Sequence, residues 1–524
     1  MNFLKDLSVL VLGLGDSGLA MARWCVRHGA RVSVWDSREL PPQAAALAEE
    51  VPAATRVLVL PATLGGEGGF QLLLKSPGLA PGDARIAPML QEARDAGIAV
   101  LGELDLFVHA LADLKAGRGY APKLLAITGT NGKTTVTAMT TLLVQRAGQH
   151  AVAAGNIGPT LLDSLAVELD KAVEGDAEAN LPEVWVLELS SFQLEGGGSG
   201  VRNFEPSAAT VLNVTQDHLD WHGGLAPYMA AKARIFGQHA VMVINRDDEA
   251  VLAMVPGAVP ANLTAKVKGA PKVKPVPRQV LGFGLGAPPR AGDFGLVEEN
   301  GIAWLVRALP TDTTFKAKKG EVEEIHLQRL MPADALRIRG RHNAANALAA
   351  LALATAIGCA LAPMLHGLRE YGGEPHRVQF VAAIHGVETY DDSKGTNVGA
   401  TVAALNGLGA DKSPARLGVI LGGDGKGQDF TPLAAPLARH VRAVATLGRD
   451  AALLEQVCED AGVPVQRFVS MELAVNWGLA QARPGDALLL SPACASLDMF
   501  KSYVHRAEVF VAAVQAYATD RGQA

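Results

Sequence analysis

Short apolar runs alternate along the chain with longer segments that have the period of a helix. The runs predicted to be buried strands are residues 9–12, 32–35, 72–74, 124–127, 184–187, 210–212, 241–244, 419–421, 443–447 and 487–490. Strands that alternate with helices are typical of parallel sheets that are covered by helices. The pattern therefore predicts an α/β protein whose sheets are mostly parallel.

Two interruptions of this pattern divide the chain. A length of 524 residues is too great for one hydrophobic core, so we expect about three domains. The interruptions lie near residues 111–121, which look like a linker, and at 371–375, where glycine and proline cluster. The predicted domains are residues 1–115, 116–373 and 374–524, with hinges at the two interruptions.

Two polar segments of the middle domain are predicted to be insertions, near residues 171–182 and 256–289. The second segment carries Lys266, Lys268, Lys272, Lys274 and Arg278. One interpretation is a basic docking arm. A solvated surface insertion is favoured, because runs of charge are usually solvated.

A glycine-rich turn at residues 127–135 is the clearest chemical motif. It follows the strand at 124–127, precedes a predicted helix at 136–147, and reads Ile-Thr-Gly-Thr-Asn-Gly-Lys-Thr-Thr. Such a turn aims backbone N–H groups and the helix dipole at an anion, so an accidental turn is disfavoured. Lys133 suits the β- and γ-phosphates of ATP, and the Thr134 hydroxyl suits Mg²⁺. The residues assigned to the triphosphate are Gly129, Thr130, Asn131, Gly132, Lys133, Thr134 and Thr135.

A second glycine turn follows the first strand. Its residues Gly13, Gly15, Asp16, Ser17 and Gly18, together with Asp36 after the next strand, match the dinucleotide-binding fingerprint. NAD remains one candidate ligand. An enzyme with a separate ATP loop has no evident need for NAD, so a nucleotide-linked substrate such as a UDP-sugar fits better. Residues 76–78 either complete this site or form an ordinary turn.

Polar residues follow several other strands. Glu188 comes after the strand at 184–187, and Asp217 and His218 come after the strand at 210–212. Ligands bind at such strand ends, so these side chains are candidate metal ligands. Asp217 and His218 could instead cap a helix. The C-terminal segments 391–397, 422–426 and 491–498 also follow strands, and their lysines and hydroxyls suit a carboxylate-bearing substrate.

Composition restricts the class of protein. The net charge is −6 and the pI is about 6.1, which excludes a field that attracts nucleic acid or an acidic membrane. The four cysteines lack metal-ligand spacing and indicate a reducing cytoplasm without disulfides. No signal peptide is visible, and the apolar stretch 347–365 is predicted to be a buried helix rather than a membrane span. We therefore expect small-molecule substrates and no membrane insertion; the sequence identifies no protein partner.

Taken together, these motifs resemble the Mur ligases, the ATP-dependent amide-forming enzymes of peptidoglycan synthesis, over nearly the whole chain. The segments 187–195, 212–220, 421–426 and 490–498 resemble the members that add D-glutamate to UDP-N-acetylmuramoyl-L-alanine (UDP-MurNAc-L-Ala). The diaminopimelate-adding relatives carry an Asp-Asn-Pro-Arg segment that is not present here. The resemblance implies an N-terminal Rossmann-like domain for UDP, a central ATPase and a C-terminal Rossmann-like domain for the amino acid.

The resemblance also implies roles for individual residues. Asp36, Ser37, Arg38, Ser76, Pro77 and Gly78 would surround UDP, and Asn156 would contact the substrate. Thr134 and Glu188 would bind one Mg²⁺ and His218 a second, while Lys232 matches a lysine that is carbamylated in the family. Asn343 and Asn346 would lie near adenine, and Arg377, Asp392 and Lys394 near the nucleotide. Thr396, Lys426, Ser496 and Tyr503 would lie near D-glutamate, although the family pattern has Phe at the last position.

Three alternatives remain open at this point. Folylpolyglutamate synthase shares the phosphate loop, but segments 421–426 and 491–498 disfavour it. An NAD-dependent oxidoreductase would use the first glycine turn alone. A nucleotide-sensing module without catalysis is disfavoured by the polar residues of the middle region.

Overall fold

The computed structural model describes residues 2–61, 63–65, 69–156, 158–174, 181–197, 200–256, 278–312 and 323–522. Part of the insertion predicted near 171–182 lies outside these ranges. The four lysines of the insertion predicted at 256–289 all lie outside them. The interpretation of the lysine-bearing part as a solvated segment stays a prediction. The predicted bounds 256–289 were wrong at their C-terminal end, because Val280–Phe283 forms a buried strand of the middle sheet, with Phe283 2% exposed.

The first sheet is parallel and lies in the N-terminal region. Its strands are β1 (Ser8–Leu12), β2 (Arg31–Trp35), β3 (Thr55–Val57), β4 (Leu72–Lys75) and β5 (Ala99–Leu101), in the order β3-β2-β1-β4-β5. Helices α1 (Asp16–Arg27), α2 (Ala44–Glu50) and α3 (Ala87–Asp95) connect them. The order of strands reverses at β1, which lies between β2 and β4, and ligands of such sheets bind where the order reverses.

Helix α4 (Glu103–Arg118) corrects the predicted linker, because residues 111–118 continue this helix. Only residues 119–122 connect it irregularly to the next strand, starting at Gly119, which has a φ of 70°. The helix persists because Leu106 and Phe107 are fully buried, with the Phe107 ring edge-on to Trp185 at 5.5 Å.

The second sheet is also parallel. Its strands are β6 (Lys123–Thr128), β7 (Ala151–Gly155), β8 (Val184–Glu188), β9 (Ala208–Val211), β10 (Val241–Asn245) and β11 (Val280–Phe283), in the order β11-β10-β9-β6-β8-β7. Helices of this region are α5 (Lys133–Arg146), α6 (Leu161–Glu174), α7 (Ser191–Glu195), α8 (Leu219–His222), α9 (Leu225–Ala233) and α10 (Glu249–Leu252). The strand β6 is central, so the glycine turn that follows it lies in the middle of the sheet's carboxyl edge.

The chain then forms an antiparallel sheet that the sequence pattern did not predict. It contains β12 (Phe294–Glu299), β13 (Ile302–Pro310) and β14 (Ile325–Pro332). The predicted buried helix at 347–365 is in fact two helices, α11 (Arg341–Ala356) and α12 (Leu361–Glu370). The prediction of burial holds for α11, where every residue from Ala347 to Ala354 is fully buried.

The C-terminal sheet is parallel except for its first strand. Its strands are β15 (Gln379–Ile384), β16 (Val387–Asp391), β17 (Leu417–Gly422), β18 (Val441–Leu447), β19 (Val465–Arg467) and β20 (Ala487–Leu490), in the order β15-β16-β20-β17-β18-β19. Its helices are α13 (Val398–Lys412), α14 (Ala434–His440), α15 (Ala451–Asp460), α16 (Met471–Gln481) and α17 (Tyr503–Thr519). Four 3₁₀ turns, at Asn2–Leu4, Arg234–Phe236, Ala333–Ala335 and Thr431–Leu433, complete the described elements. The α/β class with mostly parallel sheets is confirmed. Among the helices within the described ranges, none has the length and apolar character that a bilayer span requires.

Two glycines of the first turn provide a test of this packing. A Cβ at Gly18 would lie 2.0 Å from the carbonyl oxygen of Gly13, whereas a Cβ at Gly15 would meet no atom within 4 Å. We expect Gly18→Ala to destabilise the N-terminal unit by about 1–3 kcal/mol, the usual cost of overpacking. Thermal unfolding would measure it, with Gly15→Ala as the matched control. Equal stability of the two variants would contradict the packing described here.

Candidate active site

A cleft of about 440 Å³ opens at the carboxyl edge of the first sheet. One wall is N-terminal and is formed by Gly13, Gly15, Asp16, Ser17, Asp36, Ser37, Arg38, Ser76, Pro77, Gly78, Leu79 and Arg85. The opposite wall belongs to the middle unit and is formed by Gly155, Asn156, Gly158, Thr160 and Gln193. Residues from two sheets therefore face one ligand-sized space.

Every residue that the sequence assigned to the UDP-linked substrate lines this cleft except Gly18. That residue is buried behind the turn, where the absence of a Cβ lets α1 pack on the Gly13 carbonyl. Its role in the structure is the packing of the turn, and its assignment as a substrate contact stays a prediction. Arg85 and Gln193 were not predicted as cleft residues. Gln193 lies within the segment 187–195, which carries the resemblance to the Mur ligases, whereas Arg85 lies in a loop without a motif.

The carboxylate of Asp36 braces the glycine turn. Its Oδ2 accepts hydrogen bonds from the backbone N–H of Leu14 at 2.7 Å and from Arg38 at 2.8 Å. Although burial opposes it, these hydrogen bonds lower the pKa of Asp36 to about 2. Asp36 is thus an anion already engaged with the protein, and a ribose contact would be additional to these bonds.

Asn156 connects the cleft to the second sheet's interior. Its Nδ2 donates to Oε1 of Glu188 at 2.9 Å. Glu188 is 1% exposed and pairs with Ile127 at the end of β6, and its Oε2 has no hydrogen-bond partner. A buried carboxylate oxygen without a donor is costly unless a cation approaches it.

The phosphate loop lies beside Glu188, between β6 and α5. The N-cap of α5 is Gly132, with a φ of 82° and no side-chain cap, so the first-turn N–H groups are available to an anion. Lys133 folds back on the loop and donates to the carbonyls of Gly129 at 2.9 Å and Thr130 at 2.8 Å. Burial lowers the pKa of Lys133.

Lys232 and His218 lie on the other side of this loop. Lys232 is 2% exposed, and its Nζ donates to the Gly129 carbonyl at 2.8 Å. Burial, followed by the charge of Lys133, lowers the pKa of Lys232 well below its usual value. His218 occupies the N-cap position of α8, but its side chain makes no capping hydrogen bond, and burial lowers its pKa. Its neutral imidazole can therefore act as a metal ligand.

The C-terminal unit contacts the phosphate loop directly. Arg377 donates to the Thr134 hydroxyl at 2.6 Å, so the oxygen assigned to Mg²⁺ is here a hydrogen-bond acceptor. Asn131 and Asn397 exchange side-chain hydrogen bonds at 3.3 and 3.2 Å. We call these contacts of Arg377 and Asn397 with the loop the amide latch.

The predicted adenine residues stand at the start of α11. Asn343 accepts from Asn346 at 3.0 Å, and the Asn346 Oδ1 lies against Gly132 of the phosphate loop. Asn343 and Arg377 line a cleft of about 380 Å³ between the middle and C-terminal units. This cleft lies beside the phosphate loop and can accept a nucleotide base.

Two residues assigned to the nucleotide have partners within the C-terminal unit. The Oδ2 of Asp392 accepts from the Ser491 hydroxyl at 2.7 Å, and burial raises the pKa of Asp392 to about 7. Lys394 lies 3.8 Å above the ring of Tyr503. Asp392 thus braces the loop after β16, and a nucleotide contact by either residue stays a prediction.

The expected convergence of the C-terminal segments is confirmed. Strands β16, β20 and β17 are neighbours, so the loops after them share one edge. Thr396 is half-buried, Ser496 is buried and Lys426 is exposed at this edge. Burial is the main cause that lowers the pKa of His218, and the charge of Asp217 opposes it. The charge of Lys426 adds to the lowering, so Lys426 lies close enough to interact with His218 beside the phosphate loop.

Comparison with known proteins agrees with this geometry. Three family domains match: Mur ligase MurD-like N-terminal domain at residues 7–102, Mur ligase middle domain at 127–269, and Mur ligase glutamate ligase domain at 376–494. The chain is 57% identical to UDP-N-acetylmuramoylalanine--D-glutamate ligase of Albidiferax ferrireducens, over 100% of this chain and 99% of the relative. It is 54% identical to the ligase of the same name from Burkholderia pseudomallei, over 98% of both chains.

The chain belongs to the Mur ligase family.

Solved structures of other Mur ligases share the fold. UDP-N-acetylmuramate-alanine ligase from Thermotoga maritima has a TM-score of 0.55 at 18% identity, covering 98% of this chain and 100% of that one. The MurF ligase from the same organism, solved in complex with ADP, has a TM-score of 0.53 at 16% identity, covering 99% and 96%. The architecture of this Mur ligase is therefore that of its family.

Arg506 was not predicted, yet it joins two loops of the amino-acid edge in this Mur ligase. It is 2% exposed and donates to the Ser393 hydroxyl at 3.0 Å, the Ser393 carbonyl at 2.7 Å and the Cys494 carbonyl at 3.0 Å. An arginine in the interior of a helix carries no motif, so only the fold reveals this role.

Removal of Arg506 should loosen both loops. We expect Arg506→Met to destabilise the C-terminal unit by about 2–4 kcal/mol, because buried acceptors lose charged donors. Hydrogen exchange of residues 392–397 and 491–496 should accelerate. Arg521→Met is the control just beyond the end of α17, since the Arg521 side chain is exposed and packs on the Tyr517 ring at 3.8 Å; it should stay within about 0.5 kcal/mol. Unchanged exchange in Arg506→Met would contradict this role.

Proposed function

We propose that this Mur ligase joins D-glutamate to UDP-MurNAc-L-Ala in peptidoglycan precursor synthesis, with cleavage of ATP to ADP and phosphate. The observation that carries the proposal is the hydrogen bond from Asn156 to Glu188, at 2.9 Å. It connects a nucleotide-sized cleft to the phosphate loop, so a substrate bound in the cleft can extend its carboxylate towards ATP. The relatives named UDP-N-acetylmuramoylalanine--D-glutamate ligase match the chain over 98–100% of its length.

The chemistry requires activation of a carboxylate, which resists attack by an amine. An oxygen of the L-alanyl carboxylate attacks the γ-phosphorus of ATP, the bond from that phosphorus to the bridging oxygen breaks, and ADP leaves. The amine of D-glutamate then attacks the acyl carbon and loses a proton, and phosphate departs with the electrons of the carbon–oxygen bond. Lys133 and the N–H groups of α5 would offset the negative charge that gathers in the first step.

The residues fit a magnesium ion. Glu188 offers a buried oxygen without a hydrogen-bond partner, and Thr134 and His218 lie beside the same loop. Within the described ranges there is no cluster of three or more His, Cys, Asp or Glu side chains suited to a metal. This matches Mg²⁺, which usually binds one or two protein groups together with phosphates and water. When bound, Mg²⁺ neutralises phosphate charge; Thr134 and Glu188 would hold one ion and His218 a second, with Arg377 displaced from Thr134.

Lys232 would serve this site as a carbamate. Burial favours its neutral amine, and a neutral amine combines with CO₂ to give a carbamate and a proton. The product is an anion beside Glu188 and His218, where an ammonium group would repel a metal ion.

The remaining substrates and boundaries follow from the same arrangement. We assign ATP to the phosphate loop, with its base in the cleft beside Asn343, and D-glutamate to the edge that carries Thr396, Lys426, Ser496 and Tyr503. The proposed domains are residues 1–115, 116–373 and 374–524. A cytoplasmic location fits both ATP and a nucleotide-linked precursor.

A coupled ADP-release assay tests the function. ADP should appear only when UDP-MurNAc-L-Ala, ATP, Mg²⁺ and D-glutamate are all present, and a panel of other amino acids should give little product. Release with a folate substrate, or binding of NAD in the first cleft, would favour the alternatives instead.

Lys232→Ala should be nearly inactive, because the anion beside the metal site is lost. Small added carboxylates should partly restore ADP release by occupying the vacated space. Met364→Ala, at a buried site in α12 away from the loop, controls for general loss of packing. Full activity of Lys232→Ala without rescue would refute the carbamate.

Lys426→Ala should raise the KM for D-glutamate by about 30- to 1000-fold, because a half-buried carboxylate loses a charged partner, at a cost of about 2–4 kcal/mol. The KM for ATP should change far less. Lys412→Ala is the matched control, since Lys412 ends α13 and pairs with Glu388 rather than facing the substrate edge. An unchanged D-glutamate KM in Lys426→Ala would contradict the assignment.

A further inference from the structure

A buried carboxylate lies where three helices begin. Glu103 is the first residue of α4 and is 2% exposed. Its Oε2 accepts the hydroxyl hydrogen of Ser17, in the first turn of α1, at 2.7 Å. Its Oε1 accepts the backbone N–H of Leu162, in the first turn of α6, at 3.1 Å. One side chain thus holds the N-termini of α1 and α6 together.

These two helix starts are the two walls of the substrate cleft. Ser17 lines the N-terminal wall, and Thr160, the residue before α6, lines the opposite wall. Glu103 does not line the cleft itself. Any change in its hydrogen bonds would alter the separation of Ser17 and Thr160, and with it the width of the cleft.

The other polar links between α1 and α6 are more exposed to solvent. Arg23 pairs with Asp163 at 3.1 Å, with side chains 34% and 29% exposed. Arg27 pairs with Asp170 one turn further along, with side chains 37% and 53% exposed. Solvent-exposed ion pairs contribute little, whereas hydrogen bonds to a buried carboxylate are strong. Beside the apolar packing of the two helices, Glu103 is thus the buried polar link at the cleft end of their contact.

Packing alone does not explain why a glutamate stands at position 103. Burial raises the pKa of Glu103 to about 7, although the hydrogen bonds from Ser17 and Leu162 oppose this rise. A neutral apolar residue would fill the same space without that cost. The carboxylate provides two hydrogen-bond acceptors on one planar group, one for Ser17 of α1 and one for Leu162 of α6. The positive ends of the helix dipoles at this place also favour an anion.

We propose that Glu103 is a positioning residue for the UDP-linked substrate, holding the glycine turn and the start of α6 at the separation that this substrate spans. The inference rests on the proposed function only for the identity of that substrate. Glu103 acts through Ser17 and Leu162 and makes no contact with the ligand.

The test is calorimetric binding of UDP-MurNAc-L-Ala to the full chain without ATP. Glu103→Leu fills a similar space but offers no oxygen to either partner, so both hydrogen bonds are lost. We expect the Kd to rise about tenfold, while KM values for ATP and D-glutamate stay within about twofold. Glu103→Asp, which is too short to reach both partners, should weaken binding in the same way.

Arg27→Gln is the matched control, because it breaks an exposed link between the same two helices. It should leave the Kd within about twofold. An unchanged Kd in both Glu103 variants would overturn the proposal, and so would equal rises in all three substrate constants, which mark general loss of structure. If the wild type binds UDP-MurNAc-L-Ala but releases no ADP with D-glutamate, the proposed function fails while the binding comparison still decides the role of Glu103.

Discussion

Parallel strands end on the same side of their sheet, and the chemistry of this protein depends on that constraint. Each candidate segment follows a strand: the first glycine turn follows β1, the phosphate loop follows β6, Asn156 follows β7, and the amino-acid edge follows β16, β17 and β20. Helices begin where these strands end, so their N–H groups point into the same space. The carboxyl edge of each sheet is therefore electropositive through its backbone alone, which suits anionic substrates.

The buried polar groups around the phosphate loop carry a cost that only ligands remove. Glu188 has a carboxylate oxygen without a partner, and Lys232 donates to one carbonyl and one hydroxyl. In water both would be fully solvated, whereas here their positions are fixed in advance and one oxygen of Glu188 has no partner. Such groups are organised before substrate arrives, so little rearrangement is needed when charge develops.

Sequence reasoning found the local motifs and missed what depends on packing. The phosphate loop and Glu188 were predictable because glycine spacing and strand ends are local signals, whereas Asn156 came only from the resemblance to the Mur ligases. The linker near residues 111–121 was wrong because Gly117 and Gly119 suggested a break, whereas the burial of Leu106 and Phe107 sustains a helix to Arg118. Arg506 and Glu103 carry no motif at all: a charged residue in a helix pattern looks solvated until the fold encloses it. The antiparallel sheet was missed because β14 is largely exposed and lacks an apolar run.

The amide latch bears on product release, which requires the C-terminal unit to separate from the phosphate loop. Its contacts are hydrogen bonds between amides, and between a guanidinium and a hydroxyl, and neither is an ion pair. Bonds of this kind exchange for bonds to water at small net cost, and dissolved salt does not screen them as it screens paired charges. The amide latch therefore contributes little net free energy of its own to holding the C-terminal unit over the phosphate loop. Added salt should therefore leave the amide latch itself almost unaffected, because its hydrogen bonds pair no opposite charges.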